Sequence, residues 1–203
     1  MKRLLQLFFI MLCTVLYFNH TACIAQHTAL GFHGRMSAPV GDFADEAKLG
    51  FGGGATARFF TRYNMVFDLG FNYAIYPLKT SQLTNITSAD FRVLEFKMGL
   101  FYMLGKGEVR PYAGLTGGLG LFNSRVKTSF QEQTLDMGSA FQICPTIGFM
   151  IMASDRVGID INAGYMINFS KTSASSVNYA YNITYIPFNL GFSYLIGYKA
   201  PSK

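Results

Sequence analysis

The sequence predicts an all-β fold, an eight-stranded antiparallel up-and-down transmembrane β-barrel, from three observations. Apolar and polar residues alternate along eight stretches with the period of two that is typical of a β-strand. Aromatic residues make up 16% of the chain and charged residues only 14%, a composition that favours lipid surroundings. No apolar run after residue 25 reaches the roughly 18 residues that a membrane helix requires. A closed barrel is then the membrane fold that leaves no sheet edge unpaired in hydrocarbon.

The first 25 residues have the organisation of a secretory signal peptide. Lys2 and Arg3 give a positive start, and an apolar core and small residues suitable for cleavage follow. We therefore predict an exported protein with a signal peptide at residues 1–25 and one barrel domain at residues 26–203. A retained anchor helix and a lipid attached to Cys23 are the alternatives for this segment.

Four strands are predicted in the first half of the chain. Residues 29–39 alternate and end at a Pro-Val-Gly-Asp sequence that opens a loop. Residues 50–60 alternate less clearly because they contain four glycines, which suit a tightly curved wall. Residues 65–76, MVFDLGFNYAIY, have one wholly apolar face and one small or polar face that carries Asp68. Residues 91–103 place five apolar side chains opposite charged or small ones.

Four more strands are predicted in the second half. Along residues 109–122, one face of the predicted strand carries alanine and leucine, and the other face is rich in glycine. Residues 138–152 contain Pro145, which cannot donate a backbone hydrogen bond, so we expect a bulge or a shorter strand there. Residues 157–169 show the alternating pattern most clearly. Residues 185–198 carry apolar side chains on one face along the whole predicted strand.

The connections between these strands alternate between long and short. With the N-terminus inside, the long connections fall on one rim and the short turns on the other, as in outer-membrane barrels. A strand of about 11 residues at roughly 3.3 Å each, tilted near 45°, spans about 25 Å, which matches the apolar band of such barrels. The predicted long loops are residues 40–49, 77–90, 123–136 and 170–183.

Charged residues are sorted to one face of the predicted strands. A charge at the lipid midplane would cost about 2–4 kcal/mol, so we expect the charged faces to line the interior. Arg92 is an outward exception near the upper end of its strand, where it can extend to the head groups. Three cations and three anions would then fill the narrow lumen as a balanced network of ion pairs. The predicted network consists of Arg35, Arg58, Asp68, Glu95, Lys97 and Asp160.

Two alternative interpretations of this pattern stay open. A soluble lipocalin-like barrel would turn its apolar face inward and show the charged face to water. The aromatic content, the glycines on the polar faces and the length of the apolar faces argue against it. Within a membrane barrel, a narrow proton or ion path is the alternative to a lumen filled by side chains.

Short motifs add a family resemblance. The export signal ends at Ala25-Gln26, Pro-Val-Gly-Asp-Phe occupies 39–43, Arg-Pro-Tyr-Ala-Gly occupies 110–114, and the last strand ends in Gly-Tyr at 197–198. With these features the chain resembles the small outer-membrane β-barrel proteins of the OmpX and OmpA transmembrane type. The resemblance covers the whole mature chain and implies an eight-stranded barrel in the outer membrane of a Gram-negative bacterium.

The resemblance also implies that the last strand guides insertion by the barrel-assembly machinery. The assembly signal would consist of Phe192, Tyr194, Ile196 and Tyr198. The chain departs from the family pattern in two ways, because residues 199–203 extend past this signal and because the chain has no Trp. Tyr and Phe would therefore form the interfacial girdles.

We expect a structural or surface-interaction role with a side-chain-plugged interior, without catalysis, cofactor or metal. His33 has no Ser and Asp partners on one rim, no Gly-x-Ser-x-Gly elbow is present, and Cys144 is alone after cleavage. The alternatives are a narrow pore, a transporter with a lateral opening near Pro145, and a lipid-modifying enzyme. Expected partners are outer-membrane lipid, the assembly machinery and a surface partner bound through the four long loops. The scattered charge of +6 does not indicate nucleic acid, and we expect a monomer.

Overall fold

The computed structural model describes residues 25–79, 86–105, 107–128, 131–169 and 183–197. The predicted signal peptide up to residue 24, Cys23, Tyr198 and the tail after it lie outside these residues. The strands are β1 (Ala25–Val40), β2 (Gly50–Thr61), β3 (Met65–Pro77), β4 (Ile86–Met103), β5 (Val109–Thr128), β6 (Glu132–Met152), β7 (Val157–Gly164), β8 (Met166–Phe169) and β9 (Thr184–Ile196), and one short helix, α1, spans Asp42–Glu46.

The strands form one closed antiparallel barrel. Each strand from β1 to β6 pairs with the next, and β1 pairs with β9 to close the ring. β7 and β8 occupy a single place in this ring, because both pair with β6 on one side and with β9 on the other. The barrel therefore has eight strand positions, and the predicted eight-stranded antiparallel up-and-down fold is confirmed.

The break between β7 and β8 lies at Tyr165, beside two prolines. The pairing register is the same on both sides of the break and sets Tyr165 opposite Pro145 of β6. Tyr165 donates its backbone N–H to the Pro145 carbonyl at 3.0 Å, and proline has no N–H to return. On the other side, the register sets Pro187 opposite Gly164. β6 continues through Pro145 without a register shift, so the prediction of a bulge at Pro145 is wrong.

Two of the predicted long loops are largely paired strand. β5 continues to Thr128 and β6 begins at Glu132, with Lys127 opposite Glu132, so the prediction of a loop over 123–136 is wrong. β4 begins at Ile86 and pairs with the upper part of β5, which also shortens the loop predicted at 77–90. These extensions are stabilised by backbone pairing and by an ion pair between Arg125 and Glu132. α1 lies in the loop predicted at 40–49, and residues 170–182 lie outside the described part of the chain.

The two faces of the wall have the predicted orientation. Phe32 is 74% exposed on the outer surface, and Phe67 and Phe71 face outward with it. Asp68 and Asp160 lie inside and are 6% exposed. This arrangement excludes the lipocalin-like alternative, which would bury the aromatic face. Among the described residues, no helix has the length and apolarity to cross a membrane.

Candidate functional site

All six charged residues predicted to line the lumen lie in its interior, in two groups. The first group, the Glu95 cluster, consists of Arg35, Glu95, Lys97, Tyr185 and Asn189. Glu95 accepts from Arg35 at 2.6 Å and forms an ion pair with Lys97 at 3.1 Å, both through the same carboxylate oxygen. The Tyr185 hydroxyl donates to the other oxygen, and the Nε of Arg35 donates to the Asn189 side chain at 2.8 Å. Both oxygens of the Glu95 carboxylate are therefore paired.

The second group, the Arg58 cluster, consists of Arg58, Asp68, Tyr112, Asp160 and Asn162. Arg58 donates through Nε to Asp68 at 2.8 Å and through both terminal nitrogens to Asp160. The Tyr112 hydroxyl donates to Asp160 at 2.9 Å, and the Asn162 amide donates to the same carboxylate at 2.6 Å. Arg58 also lies over the Tyr112 ring, with 5.4 Å between its central carbon and the ring centroid.

The barrel topology positions these side chains, because the clusters join strands that are not neighbours. Arg35 lies on β1, Glu95 on β4 and Tyr185 on β9, so this cluster crosses the lumen. In the other cluster, Arg58 and Asp68 face each other on paired strands, whereas Asp160 lies on β7. Each cluster thus connects opposite walls of the barrel.

Glycines on the wall make room for this interior. A β-carbon at Gly52 would overlap the carbonyl oxygen of Tyr73 on the neighbouring strand. A β-carbon at Gly118 would overlap the carbonyl oxygen of Phe96 in the same way. Larger residues at these positions would push neighbouring strands apart, so the glycines allow the wall to curve tightly around the clusters.

A polar cavity lies between the two clusters. Its volume is about 40 Å³, and Arg35, Lys97, Arg58 and Asp68 are among the side chains that line it. His33 also lines it, with its Nε2 at 2.7 Å from the side-chain oxygen of Asn72. In the described part of the chain, no three His, Cys, Asp or Glu side chains are grouped to hold a metal ion.

Apolar layers lie beyond the charged clusters at both ends of the lumen, and the sequence analysis missed them. The upper apolar layer, on the side of α1, is formed mainly by Phe43, Tyr76, Phe91, Phe122, Met166 and Ile183. The lower apolar layer, on the side of the short turns, is formed mainly by Phe60, Val66, Phe101, Met103, Met150 and Leu195. Their signal was present in the sequence, since large apolar residues occur near the strand ends on the face that carries the charges.

α1 covers the upper layer. The Phe43 ring packs edge-on against Tyr76 and Phe91, with centroid distances of 5.3 and 5.4 Å. Lys79 donates its backbone N–H to the carbonyl of Glu46 and its ammonium group to the carbonyl of Ala44. These contacts fix the helix over the upper end of the barrel.

The predicted assembly signal lies partly within the described residues. Phe192, Tyr194 and Ile196 alternate on the outer face of β9 and are each about half exposed or more, at 65%, 49% and 49%. Tyr198 lies outside the described residues. A role of these residues in assembly stays a prediction.

The chain is similar in fold to small outer-membrane barrels of known structure. The sequence matches no protein-family model and no curated protein. A major outer membrane protein from Thermus thermophilus aligns with a TM-score of 0.60 at 9% identity, over 83% of this chain and 99% of that one. Neisserial surface protein A aligns at 0.56 and 15% identity, over 82% of this chain and 96% of that one.

A third similar structure is Ail, the attachment invasion locus protein of Yersinia pestis. It was solved in complex with the heparin analogue sucrose octasulfate, and it aligns with a TM-score of 0.53 at 17% identity, over 84% of this chain and 97% of Ail. At these identities the likeness shows the fold. The fold implied by the OmpX and OmpA resemblance is confirmed.

Proposed function

We propose that the chain is an integral outer-membrane protein of a Gram-negative bacterium, with a lumen closed by side chains and a structural or surface-interaction role. The observation that carries the proposal is the layered interior, in which charged clusters lie between two apolar layers. Outer-membrane lipid would surround the exposed aromatic face, and the barrel-assembly machinery would insert the chain as a monomer.

The layered interior argues against the narrow pore. An ion that crossed the lumen would have to pass two apolar constrictions, which oppose hydration of the path. Between them it would have to displace Arg58 or Arg35 from partners in a low-dielectric interior, and removing a partner from a buried ion pair is strongly unfavourable. An ion would have to complete both steps to cross the barrel, so we expect the lumen to be closed.

Single-channel recording on the refolded protein in planar bilayers tests the closed lumen. We expect no steady conductance from protein whose folded state has been verified by its heat-modifiable mobility on a gel. Steady conductance by the same folded preparation would contradict the closed lumen and support the pore.

Transport through a lateral opening is the second candidate, and the break at Tyr165 favours it. Gly164 and Pro187, which flank this break, also line the interior cavity. The test compares uptake of a small apolar dye by vesicles that contain the wild type or the Pro145→Thr, Pro187→Thr variant, in which a full ladder can form. Equal uptake would support the closed barrel, whereas faster uptake by the wild type would support the lateral opening.

A surface-interaction role would use the strand extensions above the barrel. β4, β5 and β6 continue past Asp90, Asn123 and Asp136, beyond the pairing of β3 with β4, and form a raised part of the wall. Because Ail was crystallised with a heparin analogue, immobilised heparin is a suitable probe. Binding that is lost when the β5–β6 hairpin is shortened would support this role. Binding unaffected by the shortening, or no binding, would count against it.

The absence of catalysis is part of the proposal. His33 is held by Asn72 inside the lumen, away from the lipid-facing surface where a lipid substrate would lie. We expect no turnover of labelled phospholipid or lipopolysaccharide by the folded protein. Turnover that disappears in His33→Ala would instead support the lipid-modifying enzyme.

A further inference from the structure

The charges of the two clusters balance in sum but not within each cluster. The two clusters together hold three cations and three carboxylates, yet Glu95 is shared by Arg35 and Lys97, whereas Arg58 is shared by Asp68 and Asp160. Arg110 is a further buried cation at the lower rim, where its Nε donates to the carbonyl of Gly107. With each group ionised, the Glu95 cluster carries one positive charge in excess and the Arg58 cluster one negative charge. The two clusters therefore carry opposite excess charges.

The Glu95 cluster also has more hydrogen-bond donors than acceptors. A lysine ammonium has three donors, and Lys97 uses its ammonium group to form an ion pair with Glu95 in the described part of the chain. A guanidinium has five, and the described acceptors of Arg35 are Glu95 and Asn189. Arg35 and Lys97 both line the cavity of about 40 Å³. Asn72 lines it as well, and its side-chain oxygen is already paired with His33, which leaves its amide N–H groups as donors.

We propose that this cavity binds a small monovalent inorganic anion of halide size, held by Lys97, Arg35 and the amide of Asn72. The excess positive charge attracts an anion and opposes a cation. An anion only accepts hydrogen bonds, which suits a wall with surplus donors, whereas water must also donate. A cavity needs about 10–15 Å³ to hold one water molecule, so the available volume suits one ion slightly larger than water with a water beside it.

The position of the carboxylates agrees with this assignment. Asp68 lines the cavity, but it is paired with Arg58. Glu95 and Asp160 do not line the cavity, and they are paired with Arg35 and Lys97 and with Arg58, respectively. The anion would therefore lie on the side of Lys97, away from Asp68. It would neutralise the excess positive charge of the Glu95 cluster.

The first test uses the wild-type protein refolded in sodium bromide and crystallised from it. The expected result is an anomalous bromide peak inside the lumen, within contact distance of the Lys97 ammonium. A cavity without a bromide peak would overturn the proposal. Refolding in bromide removes any need for the ion to pass the apolar layers of the finished barrel.

The second test measures resistance to urea after refolding in sodium bromide or in sodium gluconate at equal ionic strength. The wild type is expected to unfold at higher urea in bromide, because a ligand that binds the folded state stabilises it by mass action. Lys97→Met should abolish this difference, whereas Lys79→Met, which removes an exposed lysine that contacts α1, should keep it. A bromide effect that survives in Lys97→Met, or none in the wild type, would contradict the site. If Lys97→Met does not fold, the crystallographic result decides.

Discussion

Replacing Arg58 by methionine should destabilise the barrel more than any exposed charge replacement. Arg58 is the partner of both Asp68 and Asp160, whose side chains are 7% and 8% exposed. Methionine keeps most of the volume but leaves two carboxylates close together without a cation. Removing one partner of a buried pair costs about 3–5 kcal/mol. Two carboxylates lose their partner here, so we expect the upper part of that range.

The assay is the free energy of unfolding in urea, measured on protein folded into lipid vesicles. Arg125→Met is the matched control, since Arg125 also forms an ion pair, with Glu132, but is 38% exposed. An exposed pair contributes about 0–1 kcal/mol, so the control should change stability little. Equal losses in Arg58→Met and Arg125→Met would refute the reasoning. Adding Asp68→Asn and Asp160→Asn to Arg58→Met should recover part of the loss, because the buried charges then disappear together.

Three further predictions concern α1, the barrel wall and the lipid-facing surface. Phe43→Ala should cost about 3–5 kcal/mol and make the loop that contains α1 susceptible to protease, because the aromatic packing over the upper layer is lost. Gly52→Ala should prevent formation of the heat-resistant folded band, whereas Gly107→Ala, with nothing within 4 Å of its new carbon, should not. Phe71→Arg should cost about 2–4 kcal/mol in vesicles, because it places a charge on the lipid face. Tyr63→Arg, in an exposed turn, should have little effect, and equal losses at both sites would contradict the assigned lipid face.

The alternation of side chains made the barrel predictable. A strand pattern with a period of two fixes which residues share a face, and the cost of charge in lipid fixes which face looks inward. Asp68 and Phe67 illustrate this, since adjacent positions in one strand lie on opposite sides of the wall. The same two rules correctly predicted that all six charged residues face the lumen.

The pairing inside the lumen was not predictable from the sequence. Arg58 and Asp160 are 102 residues apart, and only the closure and stagger of the barrel bring them together. The strand ends were also not predictable, because residues 123–128 extend to and beyond the end of the pairing between β3 and β4 and have no continuous apolar face that would indicate a strand. The break at Tyr165 depends on prolines in two neighbouring strands, and that arrangement appears only once the register is known.

The contacts that Glu95 makes across the lumen have a consequence for the order of events during assembly. Glu95 and Tyr185 are 90 residues apart, and their strands reach across the barrel only after the first and last strands have met. An open, partly inserted sheet would lack these contacts and gain nothing from them. They should therefore act on the rate of escape from the finished state and leave the rate of insertion nearly unchanged. The cross-lumen contacts of Glu95 would thus form last and slow the reopening of the completed barrel.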